Sequence, residues 1–253
     1  MQSFKDTNIY LNRMAKTVSD KAWWVEYITN DVVTVYDFGC ADAVLFLYLE
    51  NLYPGRFRYV GIDNNKALRA KANDNIREFK NALIIDSIPS SIEKGSILVL
   101  NSVMHEIIHY LTPIEKNSLI SSFLELGFDY IAVRDMYNFV ENNILLDNTI
   151  TIPNSLMSLY TESKSRTSSK SEYESKLEFM LKYFYKENWE RESREKYLHQ
   201  WKSLLLANAR YKIVKEENFT IPYLTTKWKE DEISFPGNIL THKKILLKKN
   251  GME

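Results

Sequence analysis

The feature that most limits what this chain can fold into is an alternation of two periodicities between residues 34 and 135. Short runs rich in β-branched, aliphatic and aromatic residues occupy 34–39, 57–62, 83–86, 96–102 and 128–135. Runs of about four to eight such residues read as buried strands. Stretches with helical character fill most of the gaps, at 44–53, 66–80 and 113–126. Thr112 suits the N-cap of the last of these, Pro113 its first turn, and Gly127 its end. Strand and helix in turn argue for parallel βαβ units, and so for an α/β, doubly wound sheet. Right-handed crossovers, with a reversal of strand order between the first and fourth strands, would place a ligand crevice at the carboxyl ends of the strands.

The chemistry-bearing residues fall at those ends. The first strand stops at Gly39, and Gly39-Cys40-Ala41-Asp42-Ala43 is a turn of small residues leading into an apolar helix. At such a junction a ligand can approach backbone N–H groups closely. The second strand ends at Asp63, an acid placed to accept from both hydroxyls of a ribose. Each charge-assisted hydrogen bond of that kind is worth roughly 1.5–3 kcal/mol. The third strand ends at Asp86, the fourth at Asn101 and Ser102, and His105 and Glu106 follow closely.

Val35-Tyr36-Asp37-Phe38-Gly39-Cys40-Ala41, followed by Val60-Gly61-Ile62-Asp63, resembles the class I S-adenosylmethionine-dependent methyltransferases. Leu83-Ile84-Ile85-Asp86 resembles that family's third strand, and the run from Ser96 to Ser102 its fourth. The resemblance covers roughly 32–135 and extends to the last forty residues. It departs in the first motif, where Ala41 and Ala43 stand in place of glycines. It implies a Rossmann-like, seven-stranded sheet closed by an antiparallel strand pair; the break in alternation after 135 adds a helical insertion after strand five. It implies S-adenosyl-L-methionine as cofactor, held by Asp37, Gly39, Cys40, Ala41, Asp63, Asn64, Asp86, Ser87 and Asn101. The implied activity is methyl transfer to an O or N nucleophile of an unknown acceptor, a small molecule or a nucleic acid. His105 or Glu106 would act as the base. No metal ligand is carried over.

His105-Glu106-Ile107-Ile108-His109 also matches H-E-x-x-H, a pattern that holds zinc when both histidines share a helix face. A zinc hydrolase using His105, Glu106 and His109 is therefore an alternative. Against it, Pro113 shortens any helix here, and spacing pins no third ligand among Glu115, Glu125 and Glu141. A dehydrogenase is disfavoured by the missing G-x-G-x-x-G. A degenerate methyltransferase-fold binding module stays open, given Ala41 and Ala43. Cys40 reads as a small apolar filler, because no paired base is evident.

The chain divides into an N-terminal helical segment (1–30), a cofactor-binding core (31–135), an insertion or lid (136–208) and closing strands (209–253). Tyr10, Leu11, Met14, Ala15 and Val18 carry the helical spacing of the first segment, and Trp23 and Trp24 are expected to cover the crevice or pack on the sheet. Within the insertion, 155–171 is rich in Ser, Lys and Thr and reads as a mobile loop, whereas 173–185 and 191–206 read as helices. Arg134 and Asp135 would contact a polar substrate or pair with each other. Lys plus Arg and Asp plus Glu each number 33, so net charge gives no push towards nucleic acid or membrane. A single cysteine excludes an intrachain disulfide. With no secretory apolar region at the start and no run of membrane-spanning length, a cytoplasmic setting is expected.

Overall fold

The computed structural model describes residues 17–139, 149–169, 171–207, 209–237 and 239–251. Seven strands form one sheet: β1 (Thr34–Phe38), β2 (Arg58–Ile62), β3 (Ala82–Ile85), β4 (Ser96–Asn101), β5 (Tyr130–Met136), β6 (Tyr211–Phe219) and β7 (His242–Lys249). Their order is β3-β2-β1-β4-β5-β7-β6. β1 pairs in parallel with β2 and β4, with Asp37 opposite Gly61 on one side and Val99 on the other. β7 runs antiparallel between β5 and β6. The order reverses between β1 and β4, so the tips of these strands open onto a crevice.

Strand alternation sorts the core into two layers. Tyr36, Leu98, Leu100, Ile131 and Val133 face one side, where α4 (Met104–Tyr110), α5 (Pro113–Leu126) and α9 (Lys202–Leu206) cover them. Val35, Ile97, Val99, Tyr130 and Ala132 face the other, under α2 (Val44–Leu52) and α3 (Lys66–Asn75). Trp24 completes this second layer, fully buried and edge-on to Phe57 with ring centroids 6.1 Å apart. It packs on the sheet. Thr112 and Glu115 form a capping box at the start of α5, and Gly127 closes the helix at φ 81°.

The connection from β3 to β4 carries no helix. Leu83 is accordingly 57% exposed on the open face of β3. A cavity of about 220 Å³, lined among others by Tyr36, Arg58, Val60, Leu83 and Glu93, lies on that face near the amino ends of the strands. It is remote from the strand tips.

The N-terminal helical reading falls partly outside the described residues, since Tyr10, Leu11, Met14 and Ala15 are among 1–16. The described part holds a short α1 (Val18–Lys21) and a 3-10 turn (Trp23–Tyr27). The structure corrects two expectations after strand five and adds one helix to the closing segment. Residues 155–171 are not a loop: α6 (Met157–Arg166) runs through them. Its Tyr160 is buried against Phe179, with centroids 5.5 Å apart, so tertiary packing overrides the polar composition. Residues 191–206 are not one helix. α8 (Trp189–Glu192) stops early, and α9 starts only at Lys202. Between them the chain turns at 193–194 and then runs without regular secondary structure, where the buried Glu178 carboxylate on α7 (Glu172–Lys182) accepts from the backbone N–H of Tyr197 and of Leu198. Those N–H groups thus have a partner without an α-helix. Lastly, the connection from β6 to β7 contains α10 (Pro222–Glu230), with Pro222 at its first position and Trp228 fully buried. The insertion and α10 share a third apolar cluster that includes Met136, Phe179, Met180, Trp228 and Ile239.

Candidate active site at the strand tips

The turn after β1 is built from left-handed residues. Gly39 has φ 79°, Ala41 φ 50° and Ala43 φ 60°. Alanine pays roughly 1–2 kcal/mol for that conformation. The two alanines therefore keep a glycine-type backbone at a cost. The N–H groups of Gly39 and Cys40 donate to the Ile62 carbonyl at 2.7 and 3.2 Å, tying the turn to β2. Gly61 makes this contact possible, since a Cβ there would lie 2.8 Å from Cys40 Sγ and 2.6 Å from Ile84 Cδ1. Cys40 is buried, and burial pushes its thiol far above the usual range, with the charges of Asp37 and Asp63 adding to the effect. It is a filler of this turn.

Asp63 stands at the tip of β2. Its carboxylate accepts from Ala41 N–H at 3.1 Å and from Asn65 N–H at 2.8 Å. A carboxylate has about four acceptor positions, so two remain for a ligand. Burial raises the Asp63 pKa, the two N–H bonds lower it, and the charge of Glu106 raises it again. Asn64 beside it is exposed. At the tip of β3, Asp86 and Ser87 are exposed, and Ser87 Oγ donates to Asp86 at 3.0 Å.

The floor between β1 and β4 is buried and polar. Asp37 is 5% exposed, and Lys21 from α1 is 6% exposed. Burial raises Asp37 to about 7 against the opposing charge of Lys21, and burial lowers Lys21 to about 8. Asn101 Nδ2 donates to the Lys21 carbonyl at 3.3 Å. Asn101 Oδ1 and Asp42 Oδ1 are buried without a hydrogen-bond partner. Lys21 was not among the residues singled out from the sequence; no spacing rule links a residue of the first helix to a strand tip.

Arg134 and Asp135 do not pair with each other, because neighbours on a strand point to opposite faces. Arg134 donates to Asp20 at 2.5 Å and to Ser102 Oγ at 3.1 Å. Asp135 turns to the other side and meets α4. There His105 Nδ1–H donates to Asp135 at 2.9 Å, and the His105 backbone N–H donates to the same carboxylate at 3.1 Å. His105 Nε2 lies 3.5 Å from Glu195 Oε1, so the ring is held between two carboxylates and is 5% exposed. Burial alone would lower its pKa, but the Asp135 charge and hydrogen bond, with the Glu195 and Glu106 charges, raise it to about 9.

Glu106 is the more open member of the motif, with a side chain 37% exposed. Arg191 of the insertion bridges it to Glu195, at 2.7 Å and 3.0 Å. Tyr110 donates to Glu195 at 2.9 Å. His109 turns elsewhere: its Nδ1 accepts from Lys196 N–H at 3.4 Å. Among the described residues, the metal-ligand-type groups that lie together are His105, Glu106 and Glu195, without His109. Of the third ligands weighed from the sequence, Glu115 caps α5, Glu125 is exposed and Glu141 lies outside the described residues. Glu195 and Arg191 carried no signal in the sequence, because they reach α4 from about ninety residues away, along a stretch read there as a regular helix.

No family model matches the chain, and no curated protein matches its sequence. Solved structures do. An O-methyltransferase family protein from Burkholderia thailandensis aligns with a TM-score of 0.54 at 10% identity, over 98% of this chain and 60% of that one. The methyltransferase domain of bacterial CtHen1-C aligns at 0.52 and 11% identity, over 93% and 97%. PKMT2 from Rickettsia typhi, in complex with AdoHcy, aligns at 0.51 and 12% identity, over 89% of this chain and 50% of its own. The chain thus spans about half the length of that protein. The chain has the fold of the class I methyltransferases.

Proposed function

We propose that this protein transfers a methyl group from S-adenosylmethionine to an oxygen or nitrogen nucleophile. One observation carries the proposal: the Asp63 carboxylate at the tip of β2 is fixed against the left-handed turn Gly39–Ala43, with acceptor capacity left for a ribose. The unpartnered Asn101 Oδ1 and Asp42 Oδ1 fit the same ligand, since they offer buried acceptors beside the turn where an ammonium group would sit. In this reading the backbone at Gly39 and Ala41 holds the amino acid end of the donor, with Cys40 and Asp37 beneath it. Asp63 and Asn64 flank the ribose, and Asp86 with Ser87 meets the adenine edge. When bound, the donor supplies a methyl group on a sulfonium, and the chain positions the acceptor in line with it.

Glu106 is the residue placed to take the acceptor's proton. It is partly exposed, and its charge is felt at Asp63 across the crevice. His105 is enclosed between Asp135 and Glu195 and orients α4. The test is transfer of labelled methyl from S-adenosylmethionine into fractionated cell extract. Label should enter one class of acceptor, and Glu106→Gln should lower the rate by roughly 10²–10⁴-fold with donor affinity retained. A protein that binds the donor yet labels no protein, nucleic acid or small molecule is a binding module.

A further inference from the structure

Arg134 is 2% exposed at the tip of β5, yet its guanidinium is only partly paired. Nε donates to Asp20 at 2.5 Å, and Nη1 donates to Ser102 Oγ at 3.1 Å. Nη2 is buried with no hydrogen-bond partner among the described residues. Buried donors are almost always paired, so this one calls for an acceptor. Lys244 stands opposite Arg134 in the register of β5 and β7, and such cross-strand partners share a face of the sheet. Its ammonium pairs with the second oxygen of Asp20 at 2.6 Å. Both cations rest against Phe219, with Lys244 Nζ 4.3 Å and Arg134 Cζ 5.6 Å from the ring centroid. Lys244 Nζ also lies 5.9 Å from the ring of Trp23, whose indole Nε1 is a second buried donor without a partner.

We propose that Arg134 and Lys244 bind the carboxylate of a small acidic acceptor. This deepens the methyl-transfer reading and rests on it for the word acceptor. Asp20 shows what the pair takes, since its one carboxylate already spans Arg134 Nε and Lys244 Nζ. Nε and Nη2 form one edge of the guanidinium, which a carboxylate grips with both oxygens. Asp20 fills only half of that edge. It comes from α1, a helix of four residues, and its side chain is 29% exposed, so it is the part that can yield. An incoming carboxylate takes its place and gives Nη2 the acceptor it lacks. The surrounding charges leave room for one negative charge. Arg134 and Lys244 share the carboxylate of Asp20, and Lys21 and Asp37 oppose each other on the floor. His242 is neutral, because burial, with the charges of Arg134, His105 and Lys244, pushes its pKa far down. Asp135 and Lys243 point to the opposite face of the sheet. On β6, Glu217 opposes Lys244 in register but is exposed and makes no ion pair with it, and Lys215 offsets its charge. One positive charge in excess suits a monoanionic carboxylate better than a dianionic phosphate. The donor's amino acid end belongs at the turn after β1, two strands and about 10 Å away, so this anion is the acceptor's.

The experiment titrates the full chain with benzoate, benzamide and inorganic phosphate, each with and without S-adenosylhomocysteine. Nuclear magnetic resonance follows the backbone amides of Asp20, Ser102, Arg134 and Lys244. Benzoate should bind saturably and move these amides. Benzamide, the same shape without the charge, should bind at least about tenfold more weakly. Arg134→Gln should weaken benzoate binding by roughly ten- to a hundredfold. Asp20→Asn should tighten it by about tenfold, because it weakens the competitor already in place. An Asp20 ion pair with a structural role alone predicts no tightening. The wild-type comparison of benzoate with benzamide needs no variant to fold. No movement of these amides, equal binding of benzamide, tighter binding of phosphate, or an unchanged affinity in Asp20→Asn overturns the proposal. Displacement of benzoate by S-adenosylhomocysteine also overturns it, by making the site the donor's own. The two readings fail separately. Benzoate bound at Arg134 by a chain that does not bind S-adenosylhomocysteine keeps the carboxylate site and removes only the donor reading, and the converse removes only the carboxylate site.

Discussion

Ala41 and Ala43 show how far a single residue type can depart from a motif while its backbone geometry persists. Both are left-handed, where the resembling family uses glycine. The expected result of Ala41→Gly follows from two opposed terms. Relief of the left-handed strain gains roughly 1–2 kcal/mol, and the freer glycine costs roughly 0.5–1 kcal/mol in the unfolded chain. Denaturant unfolding should therefore show the variant more stable by about 0.5–1 kcal/mol. A loss of stability, the usual outcome for a buried alanine, would mean that the turn is not held in this conformation. His199 supplies a second test at this scale. It donates from Nε2 to the Lys196 carbonyl at 2.9 Å, and its pKa falls to about 4. Burial is the main cause, opposed by that hydrogen bond and reinforced by the charges of His105, Lys196 and His109. The unfolded residue protonates near its ordinary value of 6.5. The unfolded chain therefore binds more protons between those values, and His199 withdraws stability as pH falls from 6.5 towards 4. Urea midpoints across that range should decline less steeply in His199→Gln. Parallel curves would show that His199 protonates freely in the folded protein.

Among the elements, the stretch between α8 and α9 depends on one buried carboxylate. Glu178 accepts from Tyr197 N–H and Leu198 N–H, and Lys182 lies 3.4 Å from it. Removing it leaves those N–H groups buried and unpaired, at about 1–3 kcal/mol each. Glu178→Ala should lower stability by about 2–5 kcal/mol and speed hydrogen exchange at Tyr197 and Leu198 well above that in β4. Exchange there that stays as slow as in β4 would assign the loop's order to something else. This segment also shows where sequence reading stops. Strands β1 to β5 were legible because a buried parallel strand is a continuous apolar run, and α5 because Thr112, Pro113 and Gly127 punctuate it. The resemblance implied a seven-stranded sheet with a reversal between the first and fourth strands and an antiparallel closing pair, and the sheet has both; Asp37, Gly39, Asp63, Asp86 and Asn101 lie at strand tips. The irregular run from 195 to 200 was illegible. Its conformation answers to a side chain on another helix, and local propensity carries no record of that. α10 was hidden for a related reason, since Pro222 reads equally as a breaker or as a first helical residue.

At the scale of the whole molecule, two halves of one site arrive by different routes. The sheet delivers Asp37, Asp63 and Asn101 through strand order, and the insertion delivers Arg191 and Glu195 to α4 through hydrogen bonds to Glu106 and Tyr110. Trp201 closes the seam by donating to the Met136 carbonyl at 2.7 Å. No helix among the described residues is long and apolar enough to cross a membrane. In the proposed reading, the acceptor meets a crevice whose walls come from both the sheet and the insertion. The account rests on Asp63 holding the donor's ribose. Calorimetric titration with S-adenosylhomocysteine measures this most directly, comparing wild type with Asp63→Ala. The account predicts one site per chain in the wild type and an affinity loss of about 1.5–3 kcal/mol, roughly ten- to a hundredfold, in the variant. No binding by the wild type, or equal binding by Asp63→Ala, would contradict it.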